Sequence, residues 1–452
     1  MLIERLKSGQ HWSVWLEAVL LLAGAPFLLF PTFSVVGTFV ALCLIAASWL
    51  LPLAIKDRPA WPATPFNFVF LLWALTLIVG IVATADPDLT LAKATGLILG
   101  LAAWRYLVIA VKDGGWLALA ALAFVVLGLA FTALGALAAD WFYKVPFLDV
   151  IVSRLPAGLI AIPESPEPGV HTNQLAGTIL VYLPLLFSLL GWRPRSYAKF
   201  VRAGVLLLAL LVLVLLVLTQ SRSGWIGGIG GLFCLFCLWG AALPQGHRGR
   251  AVIWGAVAVM VLAGALALAW IGPERLQSFW EEPAQTTALG SLSTLAFRQE
   301  TWRWALVSVE DFPFTGSGLG AFRQVARRLY PIDVEPTFEI VHAHNIYLQT
   351  AVDLGLPGLV VYLAILLVAA VIGWQVARQD DGLRPLVLGL LAGLAALHIF
   401  GVGDALALGS KPGLLFWVAL GLLAAAGRVQ GSGGDIDRDR EGRRERQEGR
   451  RV

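Results

Sequence analysis

Twelve apolar runs, each long enough to cross a bilayer as a helix and separated mostly by short polar connections, constrain this chain more than any motif does. They fall at residues 14–30, 33–55, 66–83, 91–111, 116–138, 172–192, 203–219, 224–243, 251–271, 347–374, 385–402 and 412–427. A spanning helix needs about 20 consecutive apolar residues, because lipid offers no partner for a backbone amide that the helix does not satisfy itself. Composition agrees: 58% of residues are hydrophobic and 14% charged, against roughly 25% charged in a soluble domain. The expected fold class is all-α, a polytopic integral membrane protein with about twelve transmembrane helices and one large, partly helical loop at 272–346. Residues 1–427 form one transmembrane unit, followed by a charged tail at 428–452 that has too few apolar residues to bury a core and is expected to be disordered.

Charge sets the orientation. The 33 Lys and Arg concentrate in MLIERLKSGQ, KDRP, KDGG, RPRSYAKFVR, PQGHRGR, QVARQDDGLR and the tail. The positive-inside bias puts these segments, and therefore both termini, in the cytoplasm. The first run lacks a small-residue cleavage site and is followed at once by a second, so it reads as a retained helix. Trp12, Trp61, Trp116, Trp141, Trp192 and Trp270 stand at span ends, where an amphipathic ring is stable at headgroup depth. Cys234 and Cys237 lie within an apolar run and read as packing thiols. Arg105 is expected to snorkel to the cytoplasmic surface. The net charge of +4 comes from scattered cytoplasmic loops, so nucleic acid is not an expected partner, whereas membrane lipids are.

Two connections on the opposite face are long, 139–171 and 272–346. In the larger, Ser293 can cap a helix carrying Leu295, Trp302, Leu306 and Val309 at helical spacing and ending before Pro313, and a second helix is expected over 319–329. Between them FTGSGLGAF reads either as a tight helix-to-helix turn or as an anion-binding nest. Arg222 sits in a polar break between two apolar runs, Arg298 shares a helix face with Trp302 and Ala305, and His342 and His344 precede the tenth run. All belong to the same face. Arginine forks suit the phosphates of a membrane-anchored diphosphate, and an imidazole, with an ordinary pKa of about 6.5, can take a proton from an attacking hydroxyl. Plainer readings stand beside these: Arg222 snorkelling to headgroups, Arg298 paired with Glu300 or Glu310, and His344 bonded to backbone at a helix start. No HExxH, GxSxG or acidic metal cluster occurs on this face, so no metal and no cofactor is expected.

The stretch HNIYLQTAVDLGLPG, His344 to Gly358, reads as His-Asn, nine residues, then Gly-x-x-Gly. It resembles the signature of the bacterial O-antigen ligase family, polytopic membrane glycosyltransferases related to O-antigen polymerases. SRSG around Arg222, FRQETWRWAL followed by DFPFTGSGLGAF, and HTNQLAG at the sixth run are similar to the family too, and the resemblance covers about residues 160–420. Leu359 and Val360 depart from it, standing where typical ligases carry small or hydroxyl residues. The resemblance implies a metal-independent, inverting glycosyltransferase of the bacterial inner membrane. It would move a glycan from undecaprenyl diphosphate to a glycolipid acceptor, a lipid A core sugar, at the periplasmic face, as a step of lipopolysaccharide biosynthesis. His344 would be the general base and Arg222 and Arg298 the diphosphate ligands. His342, Asn345, Arg303, His171 and Asn173 are second-rank candidates. A lipid-linked glycan polymerase and a ligase for another acceptor remain alternatives within this chemistry. A small-solute or anion transporter is the alternative outside it, and would place its polar groups at mid-bilayer.

Overall fold

The computed structural model describes residues 12–54, 61–141, 143–156, 158–161, 170–191, 199–281, 286–287, 290–291, 293–331 and 340–448. Each of the twelve apolar runs is a helix. They are α1 (Trp12–Leu29), α2 (Val35–Ala54), α3 (Asn67–Val82), α4 (Pro87–Ala110), α5 (Gly114–Leu137), α7 (Thr172–Leu189), α8 (Lys199–Leu218), α9 (Arg222–Ala242), α10 (Arg248–Ile271), α14 (Ile346–Gln379), α15 (Arg384–Phe400) and α16 (Leu414–Glu448). Among the described residues nine helices are long and apolar enough to cross a membrane, while those over Val35–Leu50, Asn67–Val82 and Arg384–Phe400 are shorter apolar helices. At 1.5 Å per residue a 16-residue helix such as α3 reaches only about 24 Å, short of a hydrocarbon core of about 30 Å.

The long connections are themselves structured. The first holds β1 (Ala139–Asp140), α6 (Pro146–Val152) and β2 (Val170–His171), with β1 and β2 paired in parallel. The second holds α11 (Pro273–Glu281), the two-residue strands β3 (Thr286–Thr287) and β4 (Gly290–Ser291), α12 (Ser293–Asp311) and α13 (Phe322–Leu329). The expected helix from Ser293 ends at Asp311, two residues before Pro313, and the second helix is shorter than expected because Gly316, Gly318 and Gly320 all take positive φ ahead of it.

The interior is built on α7, α15 and the apolar half of α16, which are buried along most of their length. Small residues bring them together, as expected where lipid supplies no hydrophobic drive for helix association. A methyl on Gly393 of α15 would stand 2.1 Å from the Val181 carbonyl of α7, and one on Gly231 of α9 would stand 2.4 Å from Ala396 Cβ of α15. By contrast α8 and α10 expose Leu207, Leu211, Val259 and Leu266, the apolar faces of peripheral helices.

Two expectations change. Arg105 does not snorkel: its side chain is fully buried, pairs with the buried Glu17 of α1 and lies over the Trp49 ring. The Glu17 carboxylate, in the second turn of α1, meets the guanidinium inside the protein and removes the need to reach solvent. Trp61 also does more than anchor, standing 5.7 Å from both Trp49 and Trp104, whereas Trp12 and Trp270 are exposed and Trp192 lies outside the described residues. The backbone of α16 runs on helically to Glu448 through the charged segment. Extending an existing helix through Arg, Glu and Gln avoids the nucleation cost an isolated segment would face.

Candidate active site

The helix that organises the site is α12. Thr294, Arg298 and Trp302 recur at i, i+4 and i+8 and therefore share one face. Thr294 Oγ1 accepts a hydrogen bond from Arg222 Nη2 at 2.7 Å, Arg298 Nη2 donates to Asp404 Oδ2 at 3.1 Å, and Trp302 Nε1 donates to the His344 carbonyl at 3.2 Å. One helix face thus brings Arg222, Arg298 and His344 together.

At the centre is Asp404, buried in the connection after α15. Its Oδ2 also accepts from Asn173 Nδ2 at 2.5 Å, and its Oδ1 accepts from the Ala405 amide at 2.8 Å. The same Oδ1 lies 3.4 Å from His344 Nδ1 and 3.7 Å from His342 Nε2. Burial pushes the Asp404 pKa up, but His344, His342 and Arg298 outweigh that and hold the carboxyl well below the usual carboxylate range. The group is therefore an anion at the heart of a cationic site.

Local sequence explains how each residue arrives. Asn345 caps α14, its Oδ1 accepting from the Tyr347 and Leu348 amides, while its Nδ2 donates to the Val402 carbonyl at 3.0 Å. That bond, with Ile346 N–H to Gly401 O at 2.7 Å, ties the Asp404 connection to the histidine segment. His171 caps α7 through Nδ1, which accepts from the Asn173 amide. Ser221 caps α9, leaving Arg222 as its first residue. The N-termini of α7, α9 and α14 consequently meet at the site and add their positive dipole ends to it.

The plainer readings can now be weighed. Arg298 pairs with Asp404, while Glu300 instead accepts from Trp304 Nε1. Arg222 Nη1 is a buried donor with no hydrogen-bond partner among the described residues, while His344 Nδ1, also buried, faces Asp404 Oδ1 at 3.4 Å. Arg303 is the second-rank candidate that the fold leaves out. It is exposed, stands 4.0 Å from Glu300 and lies over the Trp304 ring, because its position is one residue round the helix from the Trp302 face.

Sequence reading missed Asp404 and Lys144. Asp404 had one signal, being the sole acidic residue between Arg384 and Lys411 in an otherwise apolar stretch, where an ionisable group merits a functional reading. Lys144 had none. It follows β1, and Gln220, at a φ of 52°, accepts from the Lys144 and Val145 amides at 2.7 and 2.6 Å, fixing this strand exit beside the start of α9. Burial first, then Arg298 and Arg222, with Asp404 opposing, lower the Lys144 pKa to about 8. Burial, followed by Lys144, lowers His171 to about 4, with Asp404 again opposing. Burial and His344 lower His342 to about 3. The two shifted imidazoles are therefore neutral at pH 7.

His342, His344 and Asp404 place ligand atoms within 4.8 Å of one another, a donor set that could take a metal ion. The tautomer argues against that use. His342 Nδ1 accepts the His344 amide at 3.0 Å, so a neutral His342 carries its proton on Nε2, the atom facing Asp404, whereas a metal there would require Nε2 bare and Nδ1 protonated. The FTGSGLGAF segment is a turn and not a nest: Ser317 N–H donates to Val352 O, Leu319 N–H to Gly80 O and Gly320 N–H to Asp353 Oδ1, leaving those amides engaged.

Fold and site together define a multi-pass helical membrane protein whose polar centre sits at helix ends, between two structured connections. Residues 205–363 match the family model described as O-antigen ligase, and this part of the chain supports an O-antigen ligase family assignment, that of a membrane enzyme of the lipid-linked glycan ligase or polymerase type. The match is narrower than the resemblance read from the sequence; it includes Arg222, Arg298 and His344 and excludes His171, Asn173 and Asp404. Comparison with curated proteins gives no match.

Proposed function

We propose that the chain is a metal-independent, inverting glycosyltransferase acting at the periplasmic face of the bacterial inner membrane. It moves a glycan from undecaprenyl diphosphate to a hydroxyl of a lipid A core sugar. The observation that carries this reading is the α12 face that gathers Arg222, Arg298 and His344 around Asp404.

In this reading Asp404 orients His344 through Nδ1 and leaves Nε2 to accept the proton of the acceptor hydroxyl. The acceptor oxygen forms its bond to the anomeric carbon from the side opposite the diphosphate, the carbon–oxygen bond to the diphosphate breaks, and its electron pair leaves on the phosphate oxygen. Single displacement inverts the anomeric centre. Arg222, Arg298 and Lys144 meet the negative charge that develops there, and the unpartnered Arg222 Nη1 is a donor available to it. The diphosphate is a good leaving group, so charge stabilisation and orientation supply what a metal otherwise would. The His342 tautomer supports the metal-free reading.

The test is transfer in reconstituted vesicles from a lipid-linked glycan to lipid A core, to a second lipid-linked glycan, and to other hydroxyl acceptors. His344→Ala, Arg222→Ala and Arg298→Ala are expected to abolish or cripple turnover on the lipid A core. Full turnover by His344→Ala removes the base assignment, and extension of the second lipid-linked glycan in place of the core sugar makes the enzyme a polymerase.

A further inference from the structure

His344 takes a φ of 47°, a left-handed conformation that is uncommon outside glycine. Such a backbone costs on the order of 1–3 kcal/mol and persists only where its surroundings over-determine it. What holds it from behind is a chain of buried polar groups that the transfer mechanism does not use. The amide of Ala343, the residue between the two histidines, donates to Gln349 Oε1 at 2.8 Å. Gln349 Nε2 donates in turn to Asp353 Oδ1, one helical turn further along α14, at 2.8 Å. Asp353 also accepts from the Gly320 amide at 2.9 Å and, on Oδ2, from Lys93 Nζ of α4 at 3.2 Å. Gln349 and Asp353 are both buried.

This arrangement links α4, the 316–320 turn and α14 to the single amide that lies between His342 and His344. Its chemistry is directional. Gln349 must accept on one side and donate on the other, which an uncharged amide or a protonated carboxyl at this position does and an ionised carboxylate does not. A buried ion pair is weak evidence for stability, since apolar residues of similar volume often serve as well or better. Here the pair stands behind the proposed base and ends on its backbone.

We infer that Gln349, held by Asp353 and Lys93, is a positioning residue for His344: the Lys93–Asp353–Gln349 chain fixes the histidine turn in the strained conformation that presents the imidazole to the acceptor. The inference rests on the transferase reading above. It assigns no contact with substrate to any of the three residues.

Displacing a catalytic group by about 1 Å can cost about 10²-fold in rate. Gln349→Leu is therefore expected to lower kcat by about that factor and to leave KM for the lipid-linked donor within about twofold, because the diphosphate ligands lie on α9 and α12. A small cavity lined in part by Trp73, Leu97, Thr350 and Leu354 adjoins Gln349 and leaves room for the change. Gln349→Glu supplies a readout that a purely structural role would not move. The charged groups facing position 349 are Asp353 on α14 itself and Lys93 from α4, with the His342, His344 and Asp404 cluster beyond Ala343. Burial and Asp353 raise the pKa of the introduced carboxyl, and Lys93 opposes them. When protonated it can accept from Ala343 and donate to Asp353 as the amide does; when ionised it repels Asp353.

The activity of Gln349→Glu relative to wild type should then climb as pH falls from about 8 to about 6, while the ratio for Gln349→Leu stays flat. Because this comparison needs only Gln349→Glu and wild type, it decides the matter even where Gln349→Leu fails to accumulate. A flat Gln349→Glu ratio, or Gln349→Leu with wild-type kcat, overturns the positioning role while leaving the transferase reading intact. Full turnover by His344→Ala overturns the base assignment and the positioning role with it.

Discussion

Replacing Asp404 with asparagine changes one charge and almost no volume, which makes it a direct probe of how the carboxylate acts. Asn can keep a bond to Arg298 but presents no full negative charge to His344 Nδ1, 3.4 Å away. Asp404→Asn is expected to lower kcat by about 10²-fold or more, the size of a general-base contribution. Combined with His344→Ala it should cost nothing further, since residues that act as a unit are not additive. A double variant much slower than His344→Ala alone would mean that Asp404 works through Arg298. Lys144 supports a second prediction. Its pKa is lowered to about 8 by burial and by Arg298 and Arg222, so the ammonium loses its charge as pH rises through that value, and with it the attraction for a diphosphate. The profile of kcat/KM, which reports groups of the free enzyme, should fall above about pH 8 for the donor. Lys144→Arg, which keeps its charge, should move that limb upward; an unmoved limb would take Lys144 out of the donor site.

At the level of elements, α14 is two helical segments joined at a kink. Gly355, with φ 70° and ψ −179°, interrupts the helix, so Ile346 to Leu354 form a first segment and Leu356 to Gln379 continue beyond the break. The amide freed at Leu356 donates to the Pro313 carbonyl at 2.7 Å, and a methyl on Gly355 would stand 2.6 Å from Phe314 O. The kink is therefore the seat on which the turn after α12 rests. Gly355→Ala adds strain of roughly 1–3 kcal/mol for the positive φ and drives that turn away. Transfer should fall, and limited proteolysis should cut more readily within 312–321 than in wild type. Unchanged protection there would show that the docking is not what the glycine serves. The helices were legible because apolar periodicity and caps such as Asn345 are local. The docking was not, because it depends on carbonyls of Gly80 and Val352 far away in the chain. The same reason hid Asp404, whose partners Asn173 and Arg298 are 231 and 106 residues distant, whereas Arg222, Arg298 and His344 could be grouped from the sequence because each has a local signal: a polar break between apolar runs, a shared helix face with Trp302, and a place just before the tenth run.

For the molecule as a whole, the reading depends on which side of the membrane the two structured connections face. Hydropathy gave the twelve helices, but a burial pattern is the same from either side of a bilayer, and only the distribution of Lys and Arg separates them. That distribution predicts that the α9–α10 connection, beside Arg248 and Arg250 at the start of α10, faces the cytoplasm and that α12 and α13 lie outside. Cys43, Cys234 and Cys237 are free thiols, so a labelling experiment starts from the variant in which all are replaced by serine or alanine. Arg328 of α13 and Gln245 between α9 and α10 are both exposed. In intact spheroplasts a membrane-impermeant maleimide should modify Arg328→Cys and leave Gln245→Cys unmodified until the membrane is opened. The reverse pattern would put the cationic site on the cytoplasmic face, where a periplasmic acceptor hydroxyl never arrives, and would end the proposed reaction whatever the geometry of the residues.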